Sequence, residues 1–188
     1  WREPSQSGTR RPGAATVDPV PKDTGFPQTD AQFDFARARR RRALARLANR
    51  LRGRPGDRVA ILRFEDVVAA LGRRGERRLG LKSIPLDSIV GTVDRGHEFD
   101  RGFRPTSSRP RGRFERIATA RRRGESMPPI RVFRIANAHF VEDGHHRVAV
   151  ARAQGQPDID AYVTEVVTEI GHDLDLRTAT PADLRALR

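Results

Sequence analysis

The sequence predicts an α+β fold: one mixed β-sheet packed by helices, preceded by a basic helix and a disordered tail. Three observations predict it. From Arg58 onward, apolar runs of strand length alternate with stretches whose apolar residues recur at helical spacing. Residues 1–28 are rich in Pro, Gly, Ser and Thr and show no period, as expected of a tail that cannot bury a core. Charge divides the chain, with 30 Lys and Arg against 14 Asp and Glu in residues 1–124, and 7 against 10 in residues 125–188. The basic character therefore sits outside the part that reads most clearly as folded domain.

The elements follow in order. Thr29 or Asp30 can cap a helix that runs through "DAQFDFARARRRRALARLANRLRG" until Gly53, Pro55 and Gly56 stop it. The chain divides accordingly into a tail (1–28), a basic helix (29–54), a domain (57–170) and a C-terminal tail with a short helix (171–188). On the basic helix, Phe33, Ala36, Ala43, Leu47 and Leu51 form a thin apolar stripe broken at Arg40. "DRVAILRFEDVVAALG" reads as a strand from Arg58 to Leu62 and a helix from Glu65 to Leu71, ended by Gly72. A basic loop, "RRGERR", leads to a strand over 81–86, and residues 91–108 read as a long loop.

"RPRGRFERIATARRRG" places Phe114, Ile117 and Ala118 on one face of a helix over 109–123. "PPIRVFRI" and "HFVED", joined by a turn at "ANA", form strands over 130–135 and 138–142. A helix over 145–154, a strand over 159–167 and a capping signal at "TPADLRALR" complete the chain. The strands from 81 onward are expected to share one sheet.

Composition excludes several classes. The absence of cysteine removes disulfides, thiolate catalysis and cysteine-held zinc or iron–sulfur clusters. No apolar stretch approaches the roughly 18 residues that span a bilayer, and the first residues lack a signal peptide's apolar segment, so a cytoplasmic protein without a membrane partner is expected. Net charge of +13 points to polyanions. Arg37, Arg39, Arg40, Arg41, Arg42, Arg46 and Arg50 on the first helix are the candidate nucleic-acid contacts, with DNA ahead of RNA. Of 37 basic residues only Lys22 and Lys82 are Lys, a bias that a GC-rich genome also produces.

The stretch "FVEDGHHRVAVARAQG" (140–155) carries the other candidate site. It reads as a strand, a turn at Gly144 and a helix, with Asp143, Gly144, His145, His146 and Arg147 at the joint. Gly144 admits backbone close to a ligand, Asp143 can cap the helix, and Arg147 adds a fork suited to phosphate oxygens. A helix start with those groups is a candidate phosphate or nucleotide site. A transition-metal site is not expected: strand alternation separates His139 from Glu142, and adjacent helical histidines diverge.

From "IPLDSI" through "MPPIRVFRIANAHFVEDGHHRVAVARAQGQPDIDAYVTEV", over roughly residues 80–167, the order of elements resembles the ParB/sulfiredoxin superfamily. In ParB proteins an Ile-Pro-Leu strand, a helix, a Pro-Ile-x-Val strand, a Gly-Glu-Arg-Arg turn, a helix ending in Ala-Gly and a final strand follow in that order. Here Gly144, His145, His146 and Arg147 occupy the turn. A literal "GERR" at Gly75–Arg78 falls where the family's order does not place the turn. The resemblance implies a nucleoside triphosphate, CTP or ATP with Mg²⁺, with its phosphates at Gly144–Arg147. His145 stands where sulfiredoxins have cysteine, which excludes their chemistry. About twenty residues follow the domain, so the helix-turn-helix reader of partition ParB proteins is not expected.

The function expected from the sequence is therefore a ParB-like nucleotide-phosphate and non-specific DNA-binding module, with homodimerisation left open. The alternative is a nucleotide-dependent phosphotransferase or hydrolase. In that case the loop "DRGHEFDRGFRP" would supply acid–base groups from Asp94, His97, Glu98 or Asp100, with no catalytic residue assigned.

Overall fold

The computed structural model describes residues 23–51, 60–94, 96–171 and 173–187. Six strands form one mixed sheet: β1 (Leu62–Arg63), β2 (Arg73–Pro85), β3 (Ile89–Thr92), β4 (Ile130–Ile135), β5 (Ala138–Asp143) and β6 (Asp158–Thr168). Their spatial order is β1-β3-β5-β4-β6-β2. β1 with β3, β3 with β5 and β4 with β6 run parallel, whereas β4 with β5 and β2 with β6 run antiparallel. The α+β class and the single mixed sheet are as expected. Strand alternation sends Ile130, Val132 and Val141 to one face and Phe133, Ile135 and Phe140 to the other, and each face has its own core.

Helices α1 (Pro27–Leu51), α3 (Arg111–Arg122) and α4 (His145–Ala153) pack on the first face. Helices α2 (Phe64–Leu71) and α5 (Pro181–Ala186) pack on the second. The capping signal before α5 is realised as a reciprocal box: Asp183 N donates to Thr180 Oγ1 at 3.3 Å, and Thr180 N to Asp183 Oδ2 at 2.8 Å. No helix among the described residues is long and apolar enough to cross a membrane.

Helix α1 is docked through a face that hydropathy does not pick out. Ala31, Asp34, Phe35 and Ala38, at i, i+3, i+4 and i+7, are buried with Asp30, and Phe35 meets Phe114 of α3 edge-on at 5.4 Å. Asp34 is compensated by Arg122, whose Nη2 donates to Oδ2 at 2.8 Å, while Asp30 accepts from Thr24 Oγ1 at 2.7 Å. The expected stripe is the exposed side, with Phe33 at 56%, Leu47 at 53% and Leu51 at 80% exposure. Two acids on the docked face hid it, because a buried ion pair scores as polar. The helix is thus part of the core that includes Ala31, Phe35 and Ala38, not an appendage to the domain.

Other expectations need correcting. The basic stretch from Arg73 to Arg78 is not a loop but the first half of β2, paired to β6 through Arg77↔Glu165 and Arg78↔Thr164. Its side chains alternate between no apolar faces, so the ladder and the Arg77–Glu165 ion pair at 2.6 Å hold it instead of core burial. Of the loop expected over 91–108, Gly91 and Thr92 belong instead to β3, while residues 96–106 are irregular but tightly packed. Of the expected strand from Arg58 to Leu62, Arg58 and Val59 lie outside the described residues, Ala60 and Ile61 are not in a strand, and β1 begins only at Leu62. Gly53, Pro55, Gly56 and residues 1–22 of the expected tail over 1–28 lie outside the described residues too, and Pro27 and Gln28 of that tail belong to α1.

The interior holds a pH-sensitive group. Ser88 Oγ donates to the Pro85 carbonyl at 2.5 Å and so accepts from His139 Nδ1 at 2.8 Å, which puts a ring proton on Nδ1. Burial, and after it the Arg134 guanidinium, push His139 down to about 4 from 6.5. The unfolded chain binds this proton below about pH 6.5 and the folded one does not. Stability from His139 is therefore full above that pH and falls by roughly 3 kcal/mol as pH drops toward 4. Urea titrations between about pH 7 and pH 4 are expected to show the slope, and His139→Gln to flatten it.

Candidate functional site

The strand–turn–helix joint forms as expected, and the five predicted residues come together there. Gly144 is the N-cap of α4 with φ 103, a left-handed conformation that favours glycine. A Cβ at this position would lie 2.4 Å from Ile130 Cγ2, so the missing side chain makes room for the core. Asp143 makes no cap bond to α4 and instead accepts from Arg147 Nη2 at 2.5 Å. Arg147 Nη1 donates to the carbonyls of Pro128 at 2.5 Å and Pro129 at 2.9 Å. The guanidinium thus ties the turn to the segment entering β4.

His145 and His146 are buried. Thr92 Oγ1 and His145 Nε2 share a hydrogen bond of 2.6 Å. Phe99 stacks on His145 at 6.4 Å and meets His146 edge-on at 5.4 Å, and Phe103 stacks on His145 at 6.3 Å. The imidazoles are therefore covered by part of the segment expected as a long loop.

That segment is built around Asp100. Its Oδ1 accepts from Gly102 N at 2.9 Å and Arg104 N at 3.0 Å, and its Oδ2 from Arg104 Nε at 3.0 Å. Phe99 and Pro105 form a β-bridge across the base. Arg152 of α4 donates to the carbonyls of Leu86 at 2.6 Å and Ile89 at 2.8 Å and lies 5.6 Å from the Phe103 ring centroid. Burial above all, partly offset by Asp87 and Asp100, lowers its pKa to about 10. The "EFDRGFRP" pattern, two phenylalanines around an Asp-Arg-Gly turn, was the legible sign that this segment buries its rings.

The arginines of α1 divide by face. Arg39, Arg40, Arg46 and Arg50 are exposed, and Arg37, Arg41 and Arg42 are half-buried. Arg39, Arg42, Arg46 and Arg50 recur at spacings of three and four residues, so they form one strip about 16 Å long beside the docked face. Arg42, Arg46 and Arg50 line a cavity of about 800 Å³ between α1, β1 and the 96–106 segment. Arg63, which sequence reading missed, lines it too, and Leu47, Ile61 and Phe99 supply an apolar wall.

Asp100 is the cavity's acid, and it is spent on Arg104, with Arg42 Nε 3.9 Å from Oδ2. Arg42 Nε is buried and makes no hydrogen bond among the described residues. Burial pulls the Arg42 pKa below its ordinary value, with Asp100 acting in the opposite direction. Phe99 joins the two predicted clusters, facing the cavity while covering His145 and His146. Among the described residues no group of three His, Asp or Glu side chains is placed to hold a metal ion.

No family model and no curated protein matches the chain. Among solved structures it is similar to sulfiredoxin from Arabidopsis thaliana, with 18% identity, coverage of 44% of this chain and 82% of that one, and a TM-score of 0.33. The overlap at this TM-score is partial, and element order and site geometry stand apart from it.

Proposed function

We propose that the chain is a nucleotide-phosphate and non-specific nucleic-acid binding module whose phosphates meet the arginine strip of α1. The observation that carries this reading is the cavity lined by Arg42, Arg46, Arg50 and Arg63, whose one acid among the described residues, Asp100, is committed internally. Like charges at helical spacing repel, and a bound phosphate would relieve them. Leu47, Ile61 and Phe99 offer a wall for a nucleobase, so a nucleoside triphosphate such as CTP or ATP fits the donor set. Mg²⁺ would arrive on the phosphates. The outer side of the strip, with Arg39, suits a duplex backbone, DNA first. Because Asp100 is held by Gly102, Arg104 and Arg42, the cavity favours binding over phosphoryl transfer.

Calorimetry of the full chain with the four ribonucleoside triphosphates and Mg²⁺ tests this. Arg50→Ala is expected to weaken binding about tenfold, the loss of one charge-assisted contact. Arg147→Ala is expected to leave affinity within about twofold and to lower Tm, since it frees two prolyl carbonyls and Asp143. Binding abolished by Arg147→Ala and untouched by Arg50→Ala would put the phosphates at the Asp143–Arg147 turn and defeat the cavity reading.

A further inference from the structure

Strand β2 is the long free edge of the sheet. It spans 13 residues, pairs on one side with β6, and has Ile84 as its one buried residue. Nothing among the described residues pairs with its outer side. Such an edge presents main-chain donors and acceptors to any extended chain that can line up with it. Its charge is one-sided, with Arg73, Arg74, Arg77, Arg78 and Lys82 against Glu76. Arg73 is paired to Glu76 and Arg77 to Glu165, whereas Arg74, Arg78 and Lys82 have no salt-bridge partner among the described residues. Leu81 and its register partner Tyr162 are 55% and 54% exposed, an apolar foothold beside the free cations.

We propose that the β2 edge binds an extended acidic peptide segment of another protein by strand addition, with its carboxylates on Arg74, Arg78 and Lys82 and an apolar residue on Leu81 and Tyr162. A second copy of this strand is disfavoured, because it would set arginine against arginine across the new ladder. A nucleic-acid strand is a poorer match for the edge itself. Phosphates accept hydrogen bonds but donate none, so the edge carbonyls would stay unpaired, whereas a peptide supplies both groups.

The test uses the full chain and a fluorescent ten-residue peptide with Asp or Glu on both faces and Val at its centre, read by anisotropy. Companion probes are the same peptide N-methylated at alternate residues and a single-stranded oligonucleotide. The acidic peptide is expected to bind, N-methylation to weaken it at least tenfold, and Arg78→Glu/Lys82→Glu to weaken it similarly with unchanged circular dichroism. Equal binding of the N-methylated peptide would reduce the contact to charge alone and overturn strand addition. So would no peptide binding at all, or an oligonucleotide that binds while the peptide does not and is lost in the same double variant.

Discussion

Gly144→Val is expected to destabilise the fold by roughly 3 kcal/mol or more, read as a lower urea midpoint. Two costs add. A β-branched residue at φ 103 is strained by about 1–2 kcal/mol, and the new Cβ would press into Ile130 Cγ2 at 2.4 Å, an overpacking worth about 1–3 kcal/mol. Ile130 is fully buried in the first core, so the clash has no free direction in which to relax. Gly155→Ala is the matched control. It also has a positive φ, of 72, but nothing lies within 4 Å of its added Cβ, so only the conformational cost of about 1 kcal/mol applies. A Gly144→Val protein as stable as the parent but unable to bind nucleotide would show that the glycine serves ligand approach instead of packing.

What the sequence made legible was the part governed by local pattern. Strands β4 and β5, helix α4 and strand β6 lie within a residue of the expected spans, because their apolar residues alternate or recur cleanly between turn residues. Helix α1 was legible as a helix but not in its orientation. Hydropathy favours Phe33 and Leu47, yet Phe35 is buried beside Asp34, whose charge is met by Arg122 across 88 residues of sequence. A salt bridge between distant segments leaves no local trace. The first half of β2 was illegible for a related reason, although its second half falls in the strand expected over 81–86: its stability resides in pairing with β6, and Arg, Gly and Glu give it no strand signature.

At the site, the sequence located both clusters without showing how they meet. The Asp143–Arg147 turn and the α1 arginines are legible as charge and glycine at particular positions. That Arg147 is occupied by prolyl carbonyls, and that Phe99 separates the imidazoles from the cavity, depends on the path of residues 96–106. That path follows from Asp100 gathering the amides of Gly102 and Arg104, a device of side-chain to backbone bonding that has no periodicity to read.

The central claim is that phosphates meet the Arg39–Arg50 strip, and the salt dependence of duplex DNA binding by Arg46→Glu/Arg50→Glu tests it most directly. Both side chains are exposed, so circular dichroism and Tm are expected to match the parent. Each arginine that neutralises a phosphate releases counterion and adds about one to the slope of log affinity against log salt. The double variant is expected to bind roughly 100-fold more weakly at low salt, two charge-assisted contacts at about tenfold each, with a slope shallower by about 2. A folded variant with the parent's affinity and the parent's slope would contradict the account and place the polyanion contact elsewhere on the chain.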